Sequence, residues 1–411
     1  MAILHPSRSL SALVPQYVSR FSCIGSSCED SCCAGWRVTI DKKTYNAYRQ
    51  SNHPELKPVF ETKVKRTRGE GSDASYARIQ LHEETSDCPL MQDRLCSVQK
   101  NLNETYLSNT CFSYPRNTRR FAGSVEQSLT LSCPEAARQA LLSADAFDFV
   151  ENKITVRDAT AGQVRPVHGL SIETMNEVRI FCFQLMRADG LALWEKMAAL
   201  GVFCESLTKA IETHQQHTIG KLIEEFVVLL EQGAVTTALK DLQPNHAVQA
   251  LVFSTLWSVK KTASHSASQS EIIAMIAERM HTDETDAQAR DAKIIERYRH
   301  GIERLPEALK ETPYLLEHYV LNEMFSTLFP FGDTTPYESY LRLASRFGMV
   351  RFMLAAQCSG DSLPSPALLA RTVQVFCRRF QHDRHFAANT SQALHNSGWD
   401  RLDRIYSFLR S

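Results

Sequence analysis

Two patterns of apolar and polar residues divide the chain into parts of different character. From Pro134 onward, apolar side chains recur at intervals of three and four residues, the period of an amphipathic helix. Long stretches with this period lie between residues 171 and 321, and they resume after a break at Phe329–Tyr340 that contains proline and glycine. The polar, Ser-rich stretch Lys260–Glu271 is predicted to be a surface loop. The pattern therefore predicts an all-helical domain over residues 141–411, with a candidate sub-boundary near 260–271.

Residues 1–140 show little helical periodicity. Apolar and polar residues alternate over Gly35–Asp41 and over Tyr76–His82, which predicts two short strands. The segment Thr67–Ser75 between them has the composition of a turn or flexible loop. We therefore predict a mainly α protein in which a small, loop-rich N-terminal region precedes the large helical domain. A region with so small a core would gain stability from a bound metal.

Length and charge narrow the function classes. A chain of 411 residues is long for one hydrophobic core and indicates two or three domains. Lys and Arg total 46 and so do Asp and Glu, so we expect no general attraction to nucleic acid or anionic lipid. A basic run at Lys57–Arg68 is most simply a solvated face. No secretory signal and no apolar run long enough for a membrane span is found, which predicts a cytoplasmic protein.

Cysteines are concentrated in the first third of the chain. Eight of the twelve lie there in groups. These eight are Cys23, Cys28, Cys32, Cys33, Cys88, Cys96, Cys111 and Cys133. In a reducing cytosol, clustered cysteines favour a metal or iron–sulfur site over disulfides or coincidental core thiols. Four convergent thiolates satisfy a tetrahedral zinc ion or complete the ligands of a cubane cluster. Eight could serve one cluster with spares, one cluster and a redox pair, or two sites.

The spacing of these cysteines predicts some local detail. Cys32 and Cys33 are adjacent, so their side chains are expected to point apart and to have different roles. Asp93 is predicted to shape a turn between two of the downstream cysteines. Pro115 lies shortly after Cys111, as prolines do beside cluster ligands, although an ordinary loop proline fits equally well. The four remaining cysteines lie in helical apolar patterns and are predicted to be buried core thiols. They are Cys182, Cys204, Cys358 and Cys377.

At this point the chain resembles a known family. The early segment "CxxxxCxxxCC", followed by "CPL…LCxxQ…CxxYP", is similar to iron- or zinc-chelating proteins with a CxxCxxCC motif. The fuller pattern resembles the flagellin lysine N-methylase family, and the first spacing of four rather than two favours that family. This pattern consists of "FSCIGSSCEDSCCAGWRVTID", "TCFSYPR", "LSCPEAAR", "YVLNEMFSTLFPFG" and a closing "FQHDRHF…GWDRL".

The resemblance implies a cytoplasmic enzyme that methylates lysine ε-amines of flagellin. It also implies S-adenosylmethionine as the methyl donor and a 4Fe-4S cluster. The cluster ligands would come from among the eight clustered cysteines, and the sequence does not select four of them. Neither the catalytic residues nor the cofactor-binding residues can be assigned by the resemblance.

Neither common signature of S-adenosylmethionine binding is present in the sequence. There is no strand followed by a Gly-rich turn and a helix, as in the doubly wound fold. Cys28 and Cys32 have the first interval of the radical-type CxxxCxxC motif, but Gly35 occupies its third position. One hypothesis is that an open iron of the cluster, or the pocket around it, holds the methionine part of the donor.

Methyl transfer to lysine needs a neutral amine, although the reference pKa of lysine is about 10.4. An enzyme must therefore desolvate or deprotonate the lysine and align it with the methyl group. Candidates near the motifs are Tyr114, Asp30, Glu135 and Trp36. Each also has a structural interpretation: Glu135 favours the dipole of a helix first turn, Asp30 caps a turn, and Trp36 belongs to the core.

Two other classes of function remain open from the sequence. One is a metal-stabilised, non-enzymatic interaction module that binds a partner protein. The other is an iron–sulfur oxidoreductase that uses the cluster for electron transfer. Methyl incorporation from S-adenosylmethionine would distinguish the methyltransferase from both.

Overall fold

The computed structural model describes residues 4–69, 71–121, 123–258, 267–282 and 284–410. Contacts within the chain divide it into two compact units. Over the described residues, the first unit comprises Met1–Ala136, Asp148–Val164 and Thr262–Glu271. The second comprises Ala137–Phe147, Arg165–Lys261 and Ile272–Ser411. The chain therefore passes between the units several times, and a single boundary at residue 140 stays a prediction.

The secondary structure of the described residues consists mainly of helices. The strands are β1 (Arg8–Pro15), β2 (Thr39–Ile40), β3 (Val64–Arg66), β4 (Ala77–Ile79), β5 (Met91–Gln92), β6 (Leu95–Cys96), β7 (Arg116–Phe121), β8 (Ser124–Leu129), β9 (Phe149–Val156) and β10 (Ala161–Gln163). The helices are α1 (Gln16–Arg20), α2 (Lys42–Gln50), α3 (Leu56–Lys63), α4 (Ser97–Leu102), α5 (Asn109–Ser113), α6 (Pro134–Leu141), α7 (Ile172–Arg187), α8 (Leu193–Glu212), α9 (Ile219–Glu231), α10 (Ala234–Leu239), α11 (His246–Ser258), α12 (Ala267–Arg279), α13 (Ala287–Ala308), α14 (Leu315–Thr327), α15 (Pro336–Cys358), α16 (Pro366–Phe376), α17 (Arg384–Ser397) and α18 (Leu402–Leu409). The predicted mainly α fold is confirmed.

A five-stranded sheet supports the first unit, with the order β10-β7-β8-β1-β9. β1 pairs with β9 antiparallel along its whole length, from Arg8 opposite Val156 to Pro15 opposite Phe149. β9 and β10 correct the prediction that everything after residue 140 is helical. β9 has the β-branched residues of a strand, but its hydrogen-bond partner lies about 140 residues earlier in the chain. A local pattern therefore does not identify it.

A smaller sheet, of order β2-β4-β3, confirms the two strands predicted at Gly35–Asp41 and Tyr76–His82 in shorter form. Its residues and those of α2 and α3 share a small hydrophobic core, in which the rings of Tyr48 and Phe60 stack at a centroid distance of 4.0 Å. The described part of Thr67–Ser75 is a loop that ends in a short 3₁₀ turn at Asp73–Ser75. This small core lies directly against several of the clustered cysteines.

The second unit is built around α15. Almost every residue of α15 is buried, including polar ones, because helices pack on it from all sides. Gly301 on α13 permits a close approach to α15, since a Cβ there would lie 1.9 Å from the backbone oxygen of Ala355. All four cysteines outside the N-terminal group are buried as predicted.

Helix boundaries agree in part with the sequence pattern. The helix predicted from Pro134 is α6, and the break predicted at Phe329–Tyr340 separates α14 from α15. The predicted loop Lys260–Glu271 lies partly outside the described residues, at 260–266, and is wrong for 267–271. Those residues begin α12, whose apolar positions Ile272 and Ile276 lie just downstream and are buried. Of the helices described, none combines the length and apolarity needed to cross a membrane.

Candidate metal centre

Four separate segments of the first unit carry five of the eight clustered cysteines. Cys32 and Cys33 lie in a turn, Cys88 precedes β5, Cys96 ends β6, and Cys111 lies in α5. The backbone N–H of Cys88 donates to the carbonyl oxygen of Cys33 at 2.7 Å, so these two positions are adjacent. The β5–β6 hairpin then returns the chain and sets Cys96 opposite Met91.

The loop of this hairpin contains the turn predicted at Asp93. Asp93 and Arg94 both have positive φ, 51° and 63°, which reverses the chain between the two short strands. Arg94 also donates a side-chain hydrogen bond to the carbonyl oxygen of Cys28. The predicted turn is therefore confirmed, and Arg94 connects it to the first cysteine segment.

Cys111 is positioned by the start of α5. Ser108 precedes this helix, and its hydroxyl accepts a hydrogen bond from the backbone N–H of Cys111 at 3.2 Å. The same hydroxyl interacts with the thiol, but burial dominates and raises the pKa of Cys111 to about 12. Burial likewise raises the pKa of Cys88 to about 11. Both side chains are therefore neutral thiols near neutral pH unless a metal replaces the proton.

The thiols lie close enough to interact with one another. Cys33 interacts electrostatically with Cys88 and Cys96, and Cys111 interacts with the same two residues. Cys32 acts on all four of them. The structure thus brings together five of the eight predicted residues from four segments. Each proximity raises the pKa of the thiol concerned, since neighbouring thiolates repel.

The neighbours Cys32 and Cys33 do not point apart, contrary to the prediction. Their side chains hydrogen-bond to each other, and this contact is the largest cause of the raised pKa of Cys33. The tight turn at residues 32–33 and the bridge between Ala34 and Asp87 hold both side chains toward Cys88. Alternation of direction is a property of extended strands, and these residues lie in a turn.

The remaining three cysteines form a looser set. Cys133, immediately before α6, interacts with Cys28 and Cys32, and burial raises its pKa to about 12. Cys28 in turn interacts with Cys23, which is exposed. Cys32 is therefore the member that the two sets share.

The five convergent thiols supply the ligand atoms that both a zinc ion and an iron–sulfur cluster use. A lone zinc ion needs four ligand atoms at about 2.0–2.3 Å from one point. In the described ranges, no group of three or more His, Cys, Asp or Glu side chains is arranged around a common point in this way. A cubane takes its thiolate ligands at separate outer corners, so they need not converge on one point.

Aromatic residues border the same turn. The indole N–H of Trp36 donates to the carbonyl oxygen of Cys32 at 2.6 Å, and its ring lies 5.5 Å from that of Tyr114. The hydroxyl of Tyr114 lies 3.2 Å from that of Ser132. Trp36 is partly buried against the small core. Two of the four candidates for amine recognition therefore lie together beside Cys32.

The two acidic candidates, Asp30 and Glu135, are placed as their structural interpretations predicted. Asp30 is buried, and its carboxylate accepts from the side chain of Gln269 at 2.6 Å and from the backbone N–H of Ser31 at 2.9 Å. Glu135 lies in the first turn of α6, as its structural interpretation requires. Sequence reasoning missed Gln269, because it comes from a segment about 240 residues later in the chain.

In the second unit, two segments that carry the resemblance meet at Glu323. Its carboxylate accepts from Arg346 at 2.6 Å and from the side chain of Gln381 at 2.6 Å. Gln381 ends a π-helical turn, Cys377–Gln381, and such turns often occur at functional sites. The sequence contained no periodic signal for this contact, which joins α14, α15 and the π-helical turn.

Comparison with known proteins assigns this chain, with its cysteine-rich first unit and helical second unit, to a family. The FliB lysine N-methylase C-terminal domain matches residues 179–408, more than half of the chain. The chain belongs to this lysine N-methylase family.

Individual relatives agree with this assignment. A Lysine-N-methylase of Salmonella typhimurium is 28% identical over 246 residues, which are 59% of this chain and 59% of that protein. The flagellar biosynthetic protein FliU of Salmonella muenchen is 35% identical over 147 residues, 36% of this chain and 86% of that protein. The match thus spans little more than half the length of the lysine N-methylases. No solved structure matches the chain.

Proposed function

We propose that this protein is an S-adenosylmethionine-dependent protein-lysine N-methyltransferase that modifies flagellin and carries a 4Fe-4S cluster. The match to the lysine N-methylase C-terminal domain over residues 179–408 carries the proposal. The flagellar name of one relative supports flagellin as the substrate. Clustered reduced thiols suit a cytoplasmic location.

We infer that the cluster is held by Cys88, Cys96, Cys111 and one of the adjacent pair Cys32 and Cys33. These residues come from four segments and interact with one another. A bound cluster would supply a rigid iron–sulfur core that cross-links the segments. The small core behind Cys88 excludes water from this side of the site.

Trp36 and Tyr114 are the residues we assign to recognition of the substrate lysine. An aromatic face attracts and positions the incoming ammonium ion. Removal of water from the site, and not the aromatic contact, disfavours the charged form and lowers the cost of losing the proton. In the reaction, the lone pair of the neutral ε-nitrogen forms a bond to the methyl carbon while the carbon–sulfur bond breaks. S-adenosylhomocysteine leaves, and the protonated, methylated amine returns a proton to water.

The first experiment measures iron and acid-labile sulfide in protein purified without oxygen, together with transfer of labelled methyl groups from S-adenosylmethionine to flagellin. We expect about four irons and about four sulfides per chain. We expect Cys111→Ala to lose both, whereas the matched change Cys182→Ala, in the helical core, retains them.

Each alternative outcome contradicts a particular part of the proposal. Zinc without sulfide would make the cysteines a structural site. Flagellin binding without methylation would favour an interaction module. Electron transfer that depends on the cluster, without methylation, would favour an oxidoreductase.

A further inference from the structure

The outer face of the small sheet, of order β2-β4-β3, has no role in the function described so far. Its inner face carries the apolar residues of the small core, so the alternate residues along each strand point outward. On the outer face, Lys65 of β3 lies directly opposite Arg78 of β4, and Thr39 of β2 lies on the other side of Arg78. Arg37, Lys65 and Arg78 are all exposed, and we call the surface that they form the basic face.

The charges of the basic face are not balanced within the sheet. Two cations at directly opposite positions of an antiparallel pair repel each other and destabilise the pairing. Among the described residues of the first unit, the ion pairs involve other cations, and Asp73 beside β4 pairs with Lys42 at 3.1 Å. The repulsion between Lys65 and Arg78 is therefore left uncompensated, and an anionic partner would relieve it.

The segment that builds this sheet is basic, although the chain as a whole is neutral. Residues 37–79 contain ten Lys and Arg against five Asp and Glu, whereas the two groups balance at 46 each over the whole chain. Two of the five acids are engaged elsewhere, since Asp41 is buried at the start of α2 and Asp73 pairs with Lys42. The positive charge is thus local, and it favours an acidic partner at this sheet.

Arg37 extends the basic face toward the aromatic residues that we assign to the substrate lysine. It follows Trp36 directly, and it shares the outward direction of Thr39, two residues further along. The backbone between them is extended, because the N–H of Ile79 donates to the carbonyl oxygen of Val38 at 3.1 Å and continues the pairing of β2 with β4. The basic face therefore begins one residue beyond Trp36.

Two contacts with α5 fix this arrangement within the first unit. The hydroxyl of Thr39 lies 2.7 Å from the hydroxyl of Thr110, in α5. The ring of Trp36 lies 5.5 Å from the ring of Tyr114, which follows the same helix. The strand and the helix are thus held together at both ends, so the aromatic pair and the basic face keep a constant separation.

This separation determines which substrate residues reach the basic face. With about 3.3 Å per residue along a strand and about 4.8 Å between strands, Trp36 lies about 11 Å from Arg78 and about 14 Å from Lys65. An extended polypeptide covers these distances in about three to five residues. A carboxylate at such a position accepts charge-assisted hydrogen bonds, and the guanidinium of Arg78 can hold both of its oxygens.

We propose that the basic face binds acidic residues of the substrate polypeptide that lie about three to five positions from the target lysine. This inference rests on the proposed function, because the occupant is the protein substrate of that reaction. It adds a preference for lysines with acidic neighbours in the sequence.

The test uses three labelled peptides that each contain one lysine flanked on both sides by Glu-rich, Gln-rich or Arg-rich sequence. Fluorescence anisotropy measures their binding to the full-length, anaerobically purified protein, and labelled S-adenosylmethionine measures their methylation. We expect the wild-type protein to bind the Glu peptide about fivefold more tightly than the Gln peptide, which two solvent-screened ion pairs can supply. This preference should shrink at about 0.5 M salt, because salt screens exposed charges.

Charge reversal provides the decisive variant. The double variant Lys65→Glu/Arg78→Glu should bind the Arg peptide more tightly than the Glu peptide. The ratio of two affinities does not change if part of a variant is unfolded, since both peptides bind the same folded fraction. Arg297→Glu/Lys310→Glu is the matched control, because it changes the net charge equally at exposed positions of the second unit. It should keep the wild-type preference.

The remaining outcomes contradict the inference in different ways. If the wild-type protein shows no preference, or if the charge reversal keeps it, the basic face does not bind the substrate, and this inference is wrong while the proposed function stands. If a single-stranded oligonucleotide of equal charge displaces the Glu peptide more effectively than the unlabelled peptide does, the face binds nucleic acid instead. If neither flagellin nor any peptide receives a labelled methyl group, the proposed function fails and this inference fails with it.

Discussion

The guanidinium of Arg157, the residue that follows β9, donates to the carbonyl oxygen of Leu107 at 2.7 Å, four residues before Cys111. It also donates to the carbonyl oxygen of Glu104 at 2.8 Å, and it lies 4.0 Å from the ring centroid of Phe112. One buried side chain at the end of a strand of the large sheet thus holds the segment that presents Cys111. The scaffold and the cysteine site are thereby connected within the first unit.

Replacing this arginine should loosen the cysteine site. Arg157→Gln leaves two backbone carbonyl groups without their donor, so we expect the free energy of unfolding to fall by about 2–4 kcal/mol. Iron should also be released to a chelator several times faster than from the wild-type protein. Urea titration and the rate of chelator-induced bleaching measure the two effects.

Arg120→Gln is the control for this substitution. Arg120 pairs with Asp158, whose side chain is 65% exposed, so the loss of this solvent-screened pair should lower the free energy of unfolding far less than the loss of Arg157. Equal iron release from both variants would show that Arg157 does not position the Cys111 segment.

The second prediction concerns the contribution of the buried ion pair between Glu323 and Arg346 to the free energy of unfolding. Glu323→Leu leaves the charge of Arg346 buried without a partner, and we expect a loss of about 3–5 kcal/mol in unfolding free energy. The double variant Glu323→Leu/Arg346→Met should recover much of that loss, because both charges are then absent. Chemical denaturation of the wild-type protein, the two single variants and the double variant completes a double-mutant cycle. Additive losses in the double variant would contradict the coupling.

The third prediction concerns the stability of variants at glycines, and it follows from the close packing of α13 against α15. Gly301→Ala forces a methyl group into the backbone of Ala355, and we expect a loss of about 3 kcal/mol or more. Gly220→Ala is the matched control, since Gly220 lies in α9 with open space around it. It should be neutral or stabilising by up to about 1 kcal/mol, because alanine favours a helix. Thermal unfolding of the two variants checks the contrast, and similar melting temperatures would refute it.

His395 makes stability depend on pH. Its Nδ1 lies 2.8 Å from Asp400 and its Nε2 lies 2.6 Å from Glu338, which also accepts from Ser391. Hydrogen bonds to Asp400 and then Glu338 are the main causes that raise the pKa of His395 above its usual value. Because the folded pKa is raised, its stabilisation is complete below the unfolded pKa of about 6.5. It is lost as the pH rises through the folded pKa.

His395→Gln should remove this dependence. We expect the difference in unfolding free energy between the wild-type protein and the variant to be largest at about pH 5.5 and to shrink by about pH 8.5. An NMR titration of the imidazole should give a pKa above the ordinary value. A constant difference across this range would mean that His395 does not titrate between its two carboxylates.

Local sequence patterns were sufficient to predict an element where residues close together in the chain determine its conformation. The helix from Pro134, the break before Pro336 and the turn at Asp93 each depend on residues within a few positions, so their propensities and spacing predicted them. The clustering of eight cysteines likewise indicated a metal or iron–sulfur site, and that stays a prediction.

Tertiary structure alone decided which of these residues meet. β9 is a strand because it pairs with β1, which lies about 140 residues earlier in the chain. A prediction from local periodicity does not contain information about so distant a partner. The turn at Cys32 and Cys33 brings both thiols toward Cys88, whereas reasoning from strand geometry separated them. Glu323, Arg346 and Gln381 gave no periodic signal, since paired charges inside a helical unit are selected by packing. The sequence by itself therefore determined the family and the helical class. The fold determined the contacts, because they join residues that only long-range packing brings together.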